Sequence, residues 1–394
     1  MVKFNLSLPQ PGFLLFVLCV ICGAFSDKNL KAQDTLSKKQ VMAALLKDTL
    51  DGRFDFSKLL IDHKGFLPVP MIITEPALGN FGMLMAFTFF TRHKPIPGKV
   101  YIAPDITAAA GMYTANGSWL VGGGRIGSFP KSGIKYRAFG GYASINLDFY
   151  RQLPQAGEKK FSFNIKAAPI MLNLSKEIGH SDVYLGLQYM YAKANVKAEF
   201  EGDYPDFFPQ KDHEGVNSTI SLFADIDKRD NFFTPSKGFR VNAMYGMDDN
   251  WTGSDYSYSK LTGFLNWFLP VKRNWISGFR LDGQGAFNHP PFYFLPYLNM
   301  RGVPIARYQG YYTAVAETEQ RFDFNLRWSA VAFAGLGKAI GKGQSFSDAD
   351  LVYNYGGGFR YLLARAFGLR GGIDIAASPG NFGWYIVFGH NWNR

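Results

Sequence analysis

From about Gly79 onward, apolar residues alternate with small or polar ones at a period of two, in runs of 9–18 residues broken by turn-like clusters. In residues 80–91 (NFGMLMAFTFFT), Phe81, Met83, Met85, Phe87 and Phe89 share one face. Asn80, Gly82, Ala86 and Thr88 share the other. The pattern recurs at Ile134–Tyr150, Phe161–Leu174, Val183–Phe200, Val216–Asp227, Phe239–Met247, Tyr256–Val271 and Trp275–Phe287. After a long loop it returns at Ala314–Leu326, Trp328–Ala339, Val352–Ala364, Phe367–Ala377 and Phe382–Trp392. Weaker segments near Ile106 and Trp119 bring the total to 15 predicted strands.

Strands of this length suit a tilted membrane crossing, in which ~9–11 residues traverse the hydrocarbon. Lipid offers no hydrogen bonds to an open sheet edge, so the strands must close on themselves. Single-chain bacterial barrels have even strand numbers, so sixteen are expected, with Glu158–His180 the place where one has escaped the count. The predicted fold is all-β: a transmembrane antiparallel β-barrel over 79–394, preceded by a short periplasmic segment.

Composition supports this reading. Aromatic residues make up 16% of 394 residues and glycine contributes 43, while charged residues are only 19% against ~25% in soluble domains. The mean hydropathy is too low for a bundle of membrane helices.

The N-terminus reads as an export signal. An uncharged apolar run, Gly12–Phe25, is shorter than the ~20 residues of a spanning helix and fits a secretory core. Ala24-Phe25-Ser26 offers one cleavage site and Ala32-Gln33 another, so residues 1–32 are assigned to a signal peptide cut between 26 and 33. The KAQ ending resembles envelope proteins of Bacteroidetes-like bacteria. Both cysteines, Cys19 and Cys22, lie inside the signal, so the mature chain is expected to have no thiol or disulfide. Residues 33–78 read as a periplasmic leader. Leu36–Leu50 can form a short amphipathic helix, Asp51-Gly52 stops it, and Leu67–Met71 is extended because prolines follow.

Catalytic and metal chemistry find little footing. The six histidines, at 63, 93, 180, 213, 289 and 390, are scattered and none forms HExxH. No metal ligand set or cofactor is predicted. Gly122–Gly124 and Gly356–Gly358 lie inside strand patterns, where close packing explains them. The remaining enzymatic candidate is Asp212-His213 with Asp248-Asp249, which loosely resembles outer-membrane aspartate/histidine proteases; adjacent strand residues point to opposite faces, which weakens it. The formal charge of +11 either lines a lumen or rim that attracts anionic lipid, lipopolysaccharide phosphates or acidic peptides, or is dispersed over loops. No dense basic run suggests nucleic acid.

Two stretches are more specific. Asp225–Gly238 reads DIDKRDNFFTPSKG, in which Pro235 and Gly238 set backbone angles and Asp230 and Asn231 can cap the turn. It resembles the D-x-R-D-N…P-x-x-G signature of the surface-antigen barrel of the BamA/TamA-like superfamily, with Arg229 at its arginine. Met300–Phe322 reads MRGVPIARYQGYYTAVAETEQRF and resembles the same family's sixth extracellular loop, whose Arg-Gly-aromatic tip folds into the lumen. Arg301 and Gly302 match; Val303 departs from the aromatic. The next strand carries Gly335 where the family's loop-binding Asp is often found. The final strand, YIVFGHNW, resembles the family's closing strand, with Gly389 and Trp392 in place. The resemblance covers about 80% of the chain.

It implies a non-enzymatic role in assembly, insertion or translocation of envelope components, working through a weak seam between first and last strands, here near Gly79–Thr91 and Phe382–Trp392. The implied partners are outer-membrane lipids and lipopolysaccharide, with unfolded outer-membrane proteins, an accessory envelope protein or a second copy of the chain. The family's POTRA domains span roughly 75–80 residues each, more than the leader holds, so a POTRA-less member is expected. The alternatives are a lipid-handling or passive barrel and, remotely, a rim protease. For Arg301, the nearest carboxylates in sequence are Glu317 and Glu319, which period-2 alternation puts on one face with Arg321 and Asp323. One of them is the expected tether.

Overall fold

A computed structural model of the chain describes residues 44–392, except 63–64, 92, 95–103, 154–156, 180, 205–206 and 209–211. After a short helix, α1 (Ser57–Asp62), come sixteen strands. They are β1 (Gly65–Ile73), β2 (Gly82–Thr91), β3 (Asp105–Thr114), β4 (Trp119–Phe129), β5 (Ile134–Leu153), β6 (Gly157–Glu177), β7 (Val183–Ala198) and β8 (His213–Asp227). The second half holds β9 (Gly238–Asp248), β10 (Tyr258–Lys272), β11 (Trp275–Asn288), β12 (Tyr312–Asp323), β13 (Trp328–Ile340), β14 (Leu351–Ala364), β15 (Leu369–Ser378) and β16 (Asn381–Phe388). Each pairs antiparallel with the next in one 16-stranded sheet. No described helix is long and apolar enough to cross a membrane.

Fifteen of these strands are the ones that alternation predicts. The sixteenth is not hidden in Glu158–His180, where β6 is one continuous 21-residue strand. It is β1, inside the stretch read as leader, so the barrel begins at 65 rather than 79. Pro68 and Pro70 disguise it, because two prolines so close together are rare inside a strand. The expected signal and most of the Leu36–Leu50 helix lie outside the described residues.

The register settles which side chains point where. Leu281, Ala316, Leu336 and Tyr353 stand in one row across β11–β14, and their partners on the opposite face include Val315 and Val352. Leu281, Leu336 and Tyr353 are about half exposed, whereas Val315 and Val352 are buried. The first row therefore faces outward and the second lines the interior. Carried back through every ladder, the outward face of β6–β8 holds Ile170, Leu172, Leu187 and Leu222, all exposed. A soluble protein rarely carries so broad an apolar exterior. This sheet is built to stand in lipid.

The N-terminal segment, the C-terminus and tight turns such as 130–133, 273–274 and 324–327 lie at one end of the barrel, and the longest connections, 199–212 and 289–311, at the other. In outer-membrane barrels the short-turn end is periplasmic.

Candidate functional site

Loop 289–311, between β11 and β12, turns back into the lumen. Leu298, Met300 and Val303 are buried against Val315 and Val352. Arg301 is 3% exposed. Its Nη1 donates to Asp374 Oδ2 on β15 at 2.8 Å, and its guanidinium lies over the Phe333 ring at 3.4 Å. Glu319 Oε2 is 2.7 Å from the same Nη1 but off its N–H direction, so it supplies charge without a hydrogen bond. Of the two expected carboxylates, then, Glu319 stands beside Arg301. Glu317 belongs elsewhere: it accepts from Arg280 Nη1 at 2.5 Å and from Asn354 Nδ2 at 3.2 Å. Asn354 Nδ2 also donates to the Arg301 carbonyl, which connects Glu317 to the loop indirectly.

Asp374 is the residue that sequence reasoning missed. It also accepts a fork from Arg360, Nη1–Oδ1 2.5 Å and Nη2–Oδ2 2.9 Å, and is fully buried. The alternation that picked out Glu317 and Glu319 would have found it: in β15, Asp374 is the one acidic residue and shares an inward row with Arg370. Gly335 is explained by volume. A Cβ there would sit 2.5 Å from Glu317 Cγ and 2.6 Å from Asn354 Oδ1, so glycine leaves room for the Glu317 cluster. Gly302 has φ +81°, its N–H donates to the Tyr385 hydroxyl, and its carbonyl accepts from Ser378. The loop tip is thus fixed by β14, β15 and β16 together.

The β8–β9 turn meets the C-terminus at the periplasmic end. Asp227 accepts from Arg229 Nε at 2.7 Å and Nη2 at 2.6 Å, and Arg229 Nη1 lies 2.9 Å from His390 Nε2. Asp230 Oδ1 caps Ser236 N and Lys237 N; Asn231 Oδ1 caps Phe233 N and Thr234 N. The Pro235 carbonyl accepts from Arg321, an inward residue of β12, which draws the turn under the lumen. Gly238 has φ +97°, and a Cβ there would collide with the Lys228 carbonyl. Gly389 and Trp392, expected within the last strand, lie beyond it. β16 ends at Phe388, Gly389 takes φ +79°, and Trp392 is buried beside Phe268.

A second anchor was not foreseen. Arg327, in the β12–β13 turn, is 1% exposed and holds three aspartates of the N-terminal segment. Nε donates to Asp51 at 2.7 Å, Nη1 to Asp55 at 2.6 Å and Nη2 to Asp48 at 2.5 Å. Arg365, in the β14–β15 turn, takes Asp48 through Nε at 2.6 Å and Nη2 at 3.0 Å, and its backbone N–H donates to Asp55. Phe56 N bonds the Leu363 carbonyl. From there α1 leads into β1, so residues 48–62 form a strap from the β12–β15 turns to the first strand. Hydrogen bonds from Arg365 and Arg327 hold Asp48 and Asp51 well below the usual carboxylate range. Burial pushes Asp55 up, but hydrogen bonds from Ser57 and Arg327 outweigh it and leave it lowered.

The rim pair has other occupations. His213 meets the Tyr256 hydroxyl, and Asp212 caps Ala198 N. Asp248 accepts from Asn217 at 2.7 Å and from Thr219. No cluster of three metal-ligating side chains occurs among the described residues.

The seam is the remaining feature. Fifteen ladders join sixteen strands, and among the described residues none joins β1 to β16. Its strands are Gly65–Ile73 and Asn381–Phe388; Gly79–Thr91, the first strand expected there, lies at and within β2. Proline has no N–H, so a full ladder from β1 to β2 runs through Leu67, Val69 and Met71. The Leu67 carbonyl indeed also accepts from Thr88 of β2. Pro68 and Pro70 then turn their nitrogens to the opposite edge, where β16 would look for donors.

Residues 134–313, from β5 through this inward loop, match the Omp85 superfamily domain. The matched stretch is an Omp85 superfamily domain, set within an outer-membrane β-barrel. No curated protein sequence matches it. Among solved structures, BamA from Haemophilus ducreyi lacking POTRA domains 1–3 is similar at TM-score 0.57 and 11% identity, over 83% of this chain and 70% of that one. CdiB from Escherichia coli gives 0.56 and 9%, over 82% and 62%. CdiB from Acinetobacter baumannii gives 0.53 and 8%, over 91% and 69%. At these identities the likeness is one of fold.

Proposed function

We propose that this barrel is a non-enzymatic device for inserting, assembling or translocating envelope components, working through the β1–β16 seam. The observation that carries the reading is the seam itself: a sheet edge whose donors are thinned by Pro68 and Pro70, facing a short last strand with no ladder between them. An edge strand of this kind is a template for another chain or a weak point toward lipid. The inward-loop tip is fixed to β14–β16, while the strap ties only the periplasmic start of β1 to the β12–β15 turns. The Omp85 domain match and the likeness to BamA and CdiB support the same reading.

The test is a series of cysteine pairs, one on Leu67–Ile73 and one on Asn381–Phe388, oxidised in cells. Locking the seam should reproduce the change in envelope-protein content that depletion of the protein causes. An unchanged envelope with a locked seam would reject the proposal. Conductance across planar bilayers distinguishes a passive pore, which the inward loop argues against: steady large openings would favour the pore.

A further inference from the structure

The lumen has two chemically different sectors. On the inward faces of β1–β4 stand Val69, Leu84, Ala110, Met112, Leu120 and Ile126. Phe139 of β5 shares that face, and Met71, Ile126 and Phe139 are each about 40% exposed. Apolar side chains left this exposed toward the lumen are a surface awaiting an apolar occupant. At the edge of this sector, Arg137 of β5 lies directly opposite Ile126 in the register and two residues from Phe139. Lys135 is next on the same face, resting on the Tyr184 ring at 3.5 Å.

These two cations differ from the inward arginines of β9, β11, the inward loop and β14. Arg240, Arg280, Arg301 and Arg360 each have a carboxylate within 3.0 Å. Among the described residues neither Arg137 nor Lys135 has one within ion-pair distance. The nearby Asp225 is taken by Arg240 and Asn242. Both cations line a cavity of about 310 Å3 together with the amides Asn173, Gln188, Asn242 and Gln284, and its two carboxylates, Asp225 and Asp282, are paired with Arg240 and Arg280. Unmatched cations with amide donors around open space suit a phosphate, and the apolar sector beside them suits hydrocarbon.

We propose that the lumen binds an acylated phosphate, a lipid whose phosphate sits at Arg137 and Lys135 and whose acyl chains lie on the β1–β4 wall. The proposal rests on the seam reading only for the route of access, because the apolar sector begins at β1. A polypeptide fits less well. Every backbone group of β2–β4 is committed to a ladder, so a peptide laid on this wall would leave its own N–H and C=O groups unpaired. Phospholipid and lipid A share the required chemistry.

The experiment places a photoreactive phenylalanine derivative at Ile126 in cells labelled with radioactive phosphate, with the same change at outward-facing Leu172 as a control for fold and bilayer contact. A labelled adduct at 126 is expected. Its loss on phospholipase treatment assigns phospholipid; its persistence assigns lipid A. Joint K135Q and R137Q substitution should cut labelling at 126 by about tenfold and leave 172 unchanged. A polypeptide adduct at 126, no adduct there while 172 is labelled, or undiminished labelling in the double variant would overturn the proposal. Repeating the experiment with the seam locked by cysteines separates the two ideas: labelling that survives removes the seam as the route and leaves the site standing.

Discussion

The inner walls of β1–β5 and β11–β15 line one lumen yet are held by different physics. The first is lined by Leu84, Ala110, Leu120 and Ile126 with glycines between, and at Gly122 and Gly141 the neighbouring backbones approach so closely that a Cβ would meet a carbonyl at 2.8 Å. The second is a ladder of buried ion pairs, Arg280–Glu317, Arg301–Glu319 and Arg360–Asp374. Buried charges of this kind add little net stability, but each requires its partner, so the wall resists any partial change. A wall of small apolar residues makes no such demand. The lesson is where deformation can occur: beside β1, not around β14.

The largest contrast should follow loss of Asp374. Asp374→Ala strands two buried guanidinium groups, and removing one partner of a buried pair costs about 3–5 kcal/mol. The urea midpoint of the heat-modifiable folded form should fall sharply, whereas Thr88→Ala on the opposite wall should shift it little. Equal effects would erase the distinction between the walls.

Arg301→Ala should cost less, since Asp374 keeps Arg360. Its effect should be local: limited proteolysis in detergent between Pro290 and Tyr312 becomes much faster, and Arg301→Lys, which lacks the planar guanidinium, restores protection only in part. Equal protection would mean that the apolar contacts of Leu298, Met300 and Val303, with Phe292 against Phe149 and Phe163, hold the loop without the arginine.

The strap sharpens the comparison from outside the lumen. Arg327→Ala should expose residues 48–56 to protease while the barrel keeps its mobility on gels. The pH response has a definite sign. Asp48, Asp51 and Asp55 are all lowered in the docked state, so their contribution is complete above the ordinary carboxylate range and fades as pH falls through the lowered values. Protection of the strap should be flat from pH 8 to about 5 and decline only below about 4. Release at pH 6 would implicate other groups.

The smallest effect is expected at Gly302. Gly302→Ala must adopt φ +81° with a Cβ 3.2 Å from Ala376 C, a strain of about 1–2 kcal/mol. A slightly lower urea midpoint with intact loop protection is the expected result.

Much of the barrel was legible because side-chain alternation in a strand is imposed by lipid on one side and lumen on the other. β12 shows it plainly: Glu317, Glu319, Arg321 and Asp323 inward, Phe322 outward. β1 is not legible, because an edge strand has only one ladder to satisfy and tolerates two closely spaced prolines that read as a break. Asp374 is hard to read from sequence because proximity along the chain favours Glu317 and Glu319, while the barrel brings β15 beside the loop from 73 residues away. The strap is hard to read for a related reason. Three aspartates in a polar stretch look solvated until the turns that bear Arg327 and Arg365 are folded beneath them.

That strap also carries information about time. Asp48 and Asp51 emerge early in synthesis, yet their partners lie 276–317 residues later, in the β12–β13 and β14–β15 turns. Closing so long a loop in an unfolded chain is entropically unfavourable, though the cost grows only with the logarithm of its length. The bonds cannot form until β12–β15 exist with their turns set side by side, at which point the intervening sheet has already shortened the search. A docked strap is therefore a mark of completion, made by the oldest described part of the chain on some of the youngest.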